Sequence, residues 1–249
     1  MKSTLILLPG LMCDAIVWAP QVQALSSVAN CVVPEYGTLN SLTAMAEHVL
    51  ATAPTQRFAL AGHSMGGRVA FEVMRLAPER VERLALLDTG FHPMGQGVDG
   101  AAETDKRMAL LALARRSGMR VMGQQWARPM VHPQQLDTPL FDSILDMVER
   151  SSPAQFEAQI QALLARRDAS ESMKDIRCPT LVLCGHDDAW SPPIQHERIH
   201  AAIAGSKLVV VDTCGHMSTM EQPQAVNDAF TGWLRAAPPD TQTPAPARS

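Results

Sequence analysis

Ser64 stands among glycines in Gly62-His63-Ser64-Met65-Gly66-Gly67, after an apolar run and before a segment with helical patterning. A serine in a glycine-rich turn can cap a helix. It can also be a nucleophile, provided a base takes its proton and an acid orients that base. The G-x-S-x-G pattern between a strand and a helix favours the second role, because a sharp turn crowds the positions two residues either side of the serine. Such a turn also aims the Met65 N–H, at a helix N-terminus, toward negative charge growing beside Ser64.

Candidate partners follow later apolar runs. Cys184-Gly185-His186-Asp187-Asp188 ends one, and Cys214-Gly215-His216-Met217 ends the last. Of eight histidines, His216 alone holds the position a base requires, on a loop after the final strand. His48 falls within a helix, His92 and His132 in loops, and His63 inside the turn, pointing away from the nucleophile by alternation. His196 and His200 have metal-like i, i+4 spacing, but with no third ligand nearby they are assigned to an exposed helix face. Three aspartates compete for the acid. Asp88 ends the strand over 81–87 and is expected to tether the segment after it. Asp187 is expected to brace its loop or face solvent, and Asp188 to orient His216.

These residues need a scaffold that gathers strand ends. Near-continuous apolar runs over 4–8, 31–33, 57–61, 81–87, 180–184 and 207–211 predict strands buried on both faces, hence a parallel sheet covered by helices. Helices are predicted over 42–52, 68–77 and 192–204, the last with Ser191-Pro192 as cap and first turn. Between residues 87 and 180 the alternation lapses, and the patterning predicts helices alone, over 103–117, 139–150 and 153–167. The expected organisation is therefore a core of residues 1–90 and 177–236, a helical cap over 91–176 inserted after the fourth strand, and a disordered Pro- and Ala-rich tail over 237–249.

Composition narrows the function. A net charge of −4 leaves no basic footprint for nucleic acid. No apolar run approaches the ~18 residues that span a membrane. Pro9-Gly10 breaks the first apolar run, and no small-residue cleavage site follows, so a signal peptide is not expected. Five cysteines at irregular spacings argue against disulfides or a zinc site. The expectation is a cytoplasmic enzyme without metal or cofactor.

Four stretches in order, 7–18, 62–67, 185–192 and 215–223, resemble the oxyanion loop, nucleophile elbow, acid loop and histidine loop of the α/β-hydrolase superfamily. The acid loop carries G-x-x-D-x-x-x-P from Gly185 to Pro192. The resemblance spans nearly all of the chain and is nearest to compact cap-bearing carboxylesterases and related C–C hydrolases. It implies Ser64 as nucleophile, His216 as general base, Asp188 as its acid, and backbone N–H groups of Met65 and Leu11 for the oxyanion. Pro9-Gly10 stands where relatives often have His-Gly, so Leu11 lacks one brace. The first strand corresponds to the one usually third, leaving about six strands. Aspartate occupies the elbow in dehalogenases and epoxide hydrolases of this fold, which sets their chemistry apart.

The substrate is less sharply marked. Met12, Met65, Met217 and Met220 lie in or beside these motifs, and an adaptable thioether lining suits an apolar pocket. Met12, Met217 and Trp190 are the expected pocket residues, with Trp126 reaching in from the cap. No arginine is marked by position alone as a carboxylate ligand. The primary expectation is an esterase for small or medium apolar esters. C–C hydrolysis or lactone opening by the same triad, and a non-catalytic ligand-binding role, are the alternatives.

Overall fold

The computed structural model describes residues 2–236; the tail expectation over 237–249 lies outside them. Six strands form one sheet: β1 (Ser3–Leu8), β2 (Ala29–Val32), β3 (Phe58–His63), β4 (Val81–Leu87), β5 (Thr180–Gly185) and β6 (Lys207–Val211). Their order is β2-β1-β3-β4-β5-β6, and every pairing is parallel. Parallel strands need crossovers, and the helices that supply them cover both faces. β3 and β5 are accordingly buried along their whole length.

Ten helices complete the described chain: α1 (Ala19–Leu25), α2 (Leu42–Thr52), α3 (Met65–Leu76), α4 (Gly97–Ser117), α5 (Met119–Ala127), α6 (Pro139–Glu149), α7 (Pro153–Leu164), α8 (Pro193–Ala202), α9 (Ser218–Glu221) and α10 (Pro223–Arg235). The chain runs outward from β1 to β2, then returns to place β3 on the other side of β1. That reversal opens a crevice at the carboxyl ends of β1 and β3, where open α/β sheets bind ligands. Ser64 follows β3 and Leu11 follows β1, so both border it.

Between β4 and β5 the described residues contain helices and no strand. The helix α4 starts six residues before the expected 103, because Gly97 and Gly100 hide its first turns from a propensity reading. Gly118, at φ 89°, ends α4 and turns the chain directly into α5. The helix α7 opens with Ser152 and Gln155 in a reciprocal capping box and Pro153 in the first turn. It stops at Leu164 rather than 167, where the Arg166 guanidinium folds back onto the Leu163 carbonyl at 2.9 Å. At α8 the cap is Pro192 and the first turn Pro193, one residue later than expected.

Among the described residues, Ser152 supplies the only side-chain bond to the opening N–H groups of α7. Ser152→Ala is therefore expected to lower stability by about 1 kcal/mol, read as a lower urea midpoint at unchanged m-value. An unchanged midpoint would show that tertiary packing alone fixes that helix end.

Candidate active site

Ser64 follows β3 with φ 54° and ψ −117°, outside the regions open to most side chains. Its hydroxyl makes no capping bond to α3, which removes the helix-cap reading. The turn is held closed: Ser64 N–H donates to the Leu87 carbonyl at 2.9 Å, and Thr89 Oγ1 donates to the Ser64 carbonyl at 2.7 Å. A Cβ on Gly62 would strike the Gly66 carbonyl, and one on Gly66 would strike the Leu8 carbonyl. Only glycine fits either place.

Ser64 Oγ lies 2.8 Å from His216 Nε2, and His216 Nδ1 lies 2.8 Å from Asp188 Oδ2. A carboxylate only accepts, so Nδ1 carries the ring proton and Nε2 is left to accept from the serine. Asp188 Oδ1 takes the N–H groups of Trp190 and Ser191 at 2.8 and 2.9 Å. Burial works against charge on Asp188, but His216 and these donors hold the carboxyl below its ordinary range. Burial likewise opposes charge on His216, yet the Asp188 carboxylate raises its pKa above the ordinary value.

Leu11 and Met65 face the same cavity as Ser64 and His216. As the first residue of α3, Met65 has an N–H with no intrahelical acceptor. The Leu11 N–H bonds no backbone or side-chain group among the described residues. Both donors are thus free to meet an anionic oxygen beside Ser64.

The cavity has a volume of about 370 Å³ and is lined by apolar residues that include Trp126, Met130, Phe156 and Trp190. Trp126 and Trp190 meet edge to face at 6.3 Å. Met12 and Met217, expected in the pocket, are absent from its lining. Met12 turns toward the insertion, its Sδ accepting from Ser151 Oγ at 3.8 Å. Met217 is buried behind the histidine loop, its N–H donating to Glu221 Oε1 at 3.0 Å. Adjacency in sequence brings a backbone close but does not aim the side chain.

Two other side chains differ from expectation, those of His196 and Asp88. His196 is fully buried rather than on an exposed face, and accepts from Thr89 N–H at 3.0 Å. Burial lowers its pKa to about 4, which keeps the ring neutral. His63 packs against His216 with ring centroids 5.5 Å apart. Its Nε2–H donates to the His216 carbonyl at 2.8 Å, and burial beside His216 lowers its pKa to about 4. Asp88 does not tether the helices after β4. Its Oδ1 accepts from Gly185 N–H at 3.1 Å and its Oδ2 from Ser218 Oγ at 2.5 Å, binding the acid and histidine loops together. Asp187 faces solvent, one of the two roles expected for it, with its Oδ2 3.9 Å from His132 Nε2.

Two features escaped sequence reasoning. Glu221 is buried and braces the histidine loop, accepting from Gly215, Met217 and His132 N–H groups. Arg68 also reaches the cavity, together with Lys106, Arg107 and Arg166. Its spacing of four residues from Ser64, one turn along α3, was the available signal.

The family model described as "Alpha/beta hydrolase family" matches residues 5–229. The chain belongs to that family. This hydrolase is 23% identical over 255 residues to the putative carbamate hydrolase RutD of Rhizobium rhizogenes, covering 94% of this chain and 93% of the relative. It is 27% identical over 193 residues to the 2-hydroxy-6-oxononadienedioate/2-hydroxy-6-oxononatrienedioate hydrolase of Escherichia coli K12, covering 70% of this chain and 61% of the relative. Among solved structures, a malate-bound thermophilic esterase from Thermogutta terrifontis superposes with a TM-score of 0.85 at 26% identity, covering 94% of this chain and 90% of that one.

The hydrogen-bond geometry separates the carboxylates. Asp188→Asn should favour the wrong imidazole tautomer and lower kcat by roughly 10³–10⁴-fold. Asp88→Asn should stay within about tenfold of the parent, since Asp88 does not bond the His216 ring. Dead Asp88→Asn beside active Asp188→Asn would reverse the assignment.

A second expectation comes from the raised His216 pKa. Only neutral imidazole can take the Ser64 proton, so kcat/KM should rise with pH along a limb above the ordinary value of ~6.5. A limb below that value in the parent protein would contradict the geometry.

Proposed function

We propose that the protein is a serine hydrolase that cleaves carboxylic esters through an acyl-enzyme. The observation that carries this reading is the unbroken chain from Ser64 Oγ through His216 to Asp188, at 2.8 Å for each link. His216 takes the Ser64 proton as the hydroxyl attacks the acyl carbonyl. Met65 and Leu11 N–H groups meet the tetrahedral oxyanion, and His216 returns the proton to the leaving alcohol. Water then enters by the same steps and releases the acid.

The cavity volume of about 370 Å³ suits a small or medium substrate, with its apolar part against Trp126, Met130 and Trp190. The helical segment over 91–176 is proposed as a cap that sets substrate preference, because Glu103, Leu110, Trp126, Met130 and Phe156 all reach the cavity from it. C–C hydrolysis stands as a second reading, favoured by the similarity to the Escherichia coli hydrolase. A vinylogous diketone, offered beside a series of p-nitrophenyl esters, separates the two.

Ser64 is expected to be labelled by a fluorophosphonate, with Ser64→Ala losing both labelling and ester turnover. Turnover at parent rates in Ser64→Ala would end the acyl-enzyme reading. Exchanging residues 91–176 with those of another esterase should move acyl-chain preference. Preference that stays with the core would deny the segment that role.

A further inference from the structure

The cavity that holds Ser64 and His216 also receives four cationic side chains: Arg68, Lys106, Arg107 and Arg166. Two carboxyls line it, Glu103 and Asp88. Asp88 is committed to Gly185 and Ser218. Burial and the Asp188 charge push its carboxyl pKa upward. Glu103 is saturated. Its oxygens accept from Arg166 at 2.8 and 2.7 Å and from Arg107 at 3.0 and 2.8 Å.

Arg68 has no carboxylate partner among the described residues. Its one hydrogen bond runs to the His92 carbonyl at 2.9 Å. The guanidinium lies over Gly90, where a Cβ would come within 2.8 Å of its Nη2. Arg166 is nine-tenths buried along its side chain, at 9% exposure, and its Nε is buried without an acceptor. Burial and the neighbouring Arg166 lower the Arg68 pKa to about 9, which leaves it charged at neutral pH.

A purely structural ion cluster could pin α4 to the end of α7, and the Glu103 pairs with Arg107 and Arg166 do so. That role needs neither Arg68 nor Lys106. It also leaves surplus positive charge inside a part-enclosed cavity, which costs free energy until an anion arrives. A guanidinium fork matches a carboxylate bidentately. A cavity of about 370 Å³ leaves a compact carboxylate better suited than a bulky phosphorylated carrier.

We propose that Arg68, backed by Arg107, Arg166 and Lys106, forms an anion subsite, so that the substrate hydrolysed at Ser64 carries a carboxylate. The subsite stands on its own geometry; only its link to hydrolysis rests on the proposed function above.

Two ester pairs test it: monoethyl adipate against ethyl hexanoate, and 4-acetoxybenzoate against phenyl acetate, followed by acid release in a pH-stat. At least one anionic member should be preferred by about tenfold or more in kcat/KM, as charge-assisted hydrogen bonds allow. Arg68→Gln should collapse that ratio toward one, and Arg68→Lys should restore part of it. Lys106 is exposed, so Lys106→Gln is a variant safe for folding and should reduce the ratio by about threefold. Preference for the neutral member in both pairs overturns the proposal.

Binding supplies a readout free of turnover. Calorimetry on Ser64→Ala should show adipate binding that weakens about tenfold or more when Arg68→Gln is added. Inorganic phosphate should bind more weakly than adipate; equal or tighter binding overturns the assignment to carboxylate. Arg68-dependent adipate binding with no ester turned over would sink the serine-esterase reading and keep the subsite. Neutral-ester turnover with no adipate binding would do the reverse.

Discussion

Ser64 holds a backbone conformation, φ 54° and ψ −117°, that costs about 1–3 kcal/mol for a residue with a side chain. Nothing in the serine offsets that cost; its surroundings impose it. The missing side chains at Gly62 and Gly66 let β3, β1 and α3 converge within backbone contact. Bonds to Leu87 and from Thr89 then close the turn from the β4 side. The result fixes a hydroxyl at the carboxyl end of a central strand, beside a helix N-terminus. Every other group in the site is arranged around that point.

The two buried aspartates reflect the same crowding. Asp88 and Asp188 end adjacent strands, and two carboxylates so placed resist ionising together. The hydrogen-bond donors around each decide which is charged. Asp188 faces His216 Nδ1 and collects two further N–H donors, so the charge rests there. Asp88 is pushed toward its neutral form and works as a clasp between the acid and histidine loops. His63 and His196, both neutral by burial, add hydrogen bonds nearby without competing with His216 for Asp188.

What could be read from the sequence was local. The turn around Ser64, the spacing from Gly185 to Pro192 and the glycine before His216 each occupy a few contiguous residues, where turn chemistry acts directly. The strands were legible because burial on both faces makes them continuously apolar. The misses share a different character. His196 reads as surface on a helix face, yet its ring fills a polar gap opposite Thr89. Met12 and Met217 sit beside catalytic residues but point elsewhere, because direction depends on local dihedrals. Asp88 meets partners about a hundred residues away, at separations of 97 and 130. Such contacts have no period to reveal them. The cationic cavity is the same case, since α3, α4 and the end of α7 contribute one or two side chains each.

The helical insertion also reaches the candidate site through its backbone. His216 N–H donates to the Met130 carbonyl at 2.6 Å, and His132 N–H donates to Glu221 Oε2 at 2.7 Å. Gln159 accepts from Met12 N–H, one residue past Leu11. Glu221 is the hinge of this arrangement, because it accepts from both the insertion and the histidine loop. Its burial raises its pKa, and the backbone donors only partly offset that rise. Protonation as pH falls through that raised value leaves neutral acceptors, which hold N–H groups less strongly than a carboxylate does. The segment that lines the cavity therefore also helps hold His216 and the loop around Leu11 in place. The cavity and the Ser64–His216 geometry are coupled in this molecule through hydrogen bonds rather than through proximity alone.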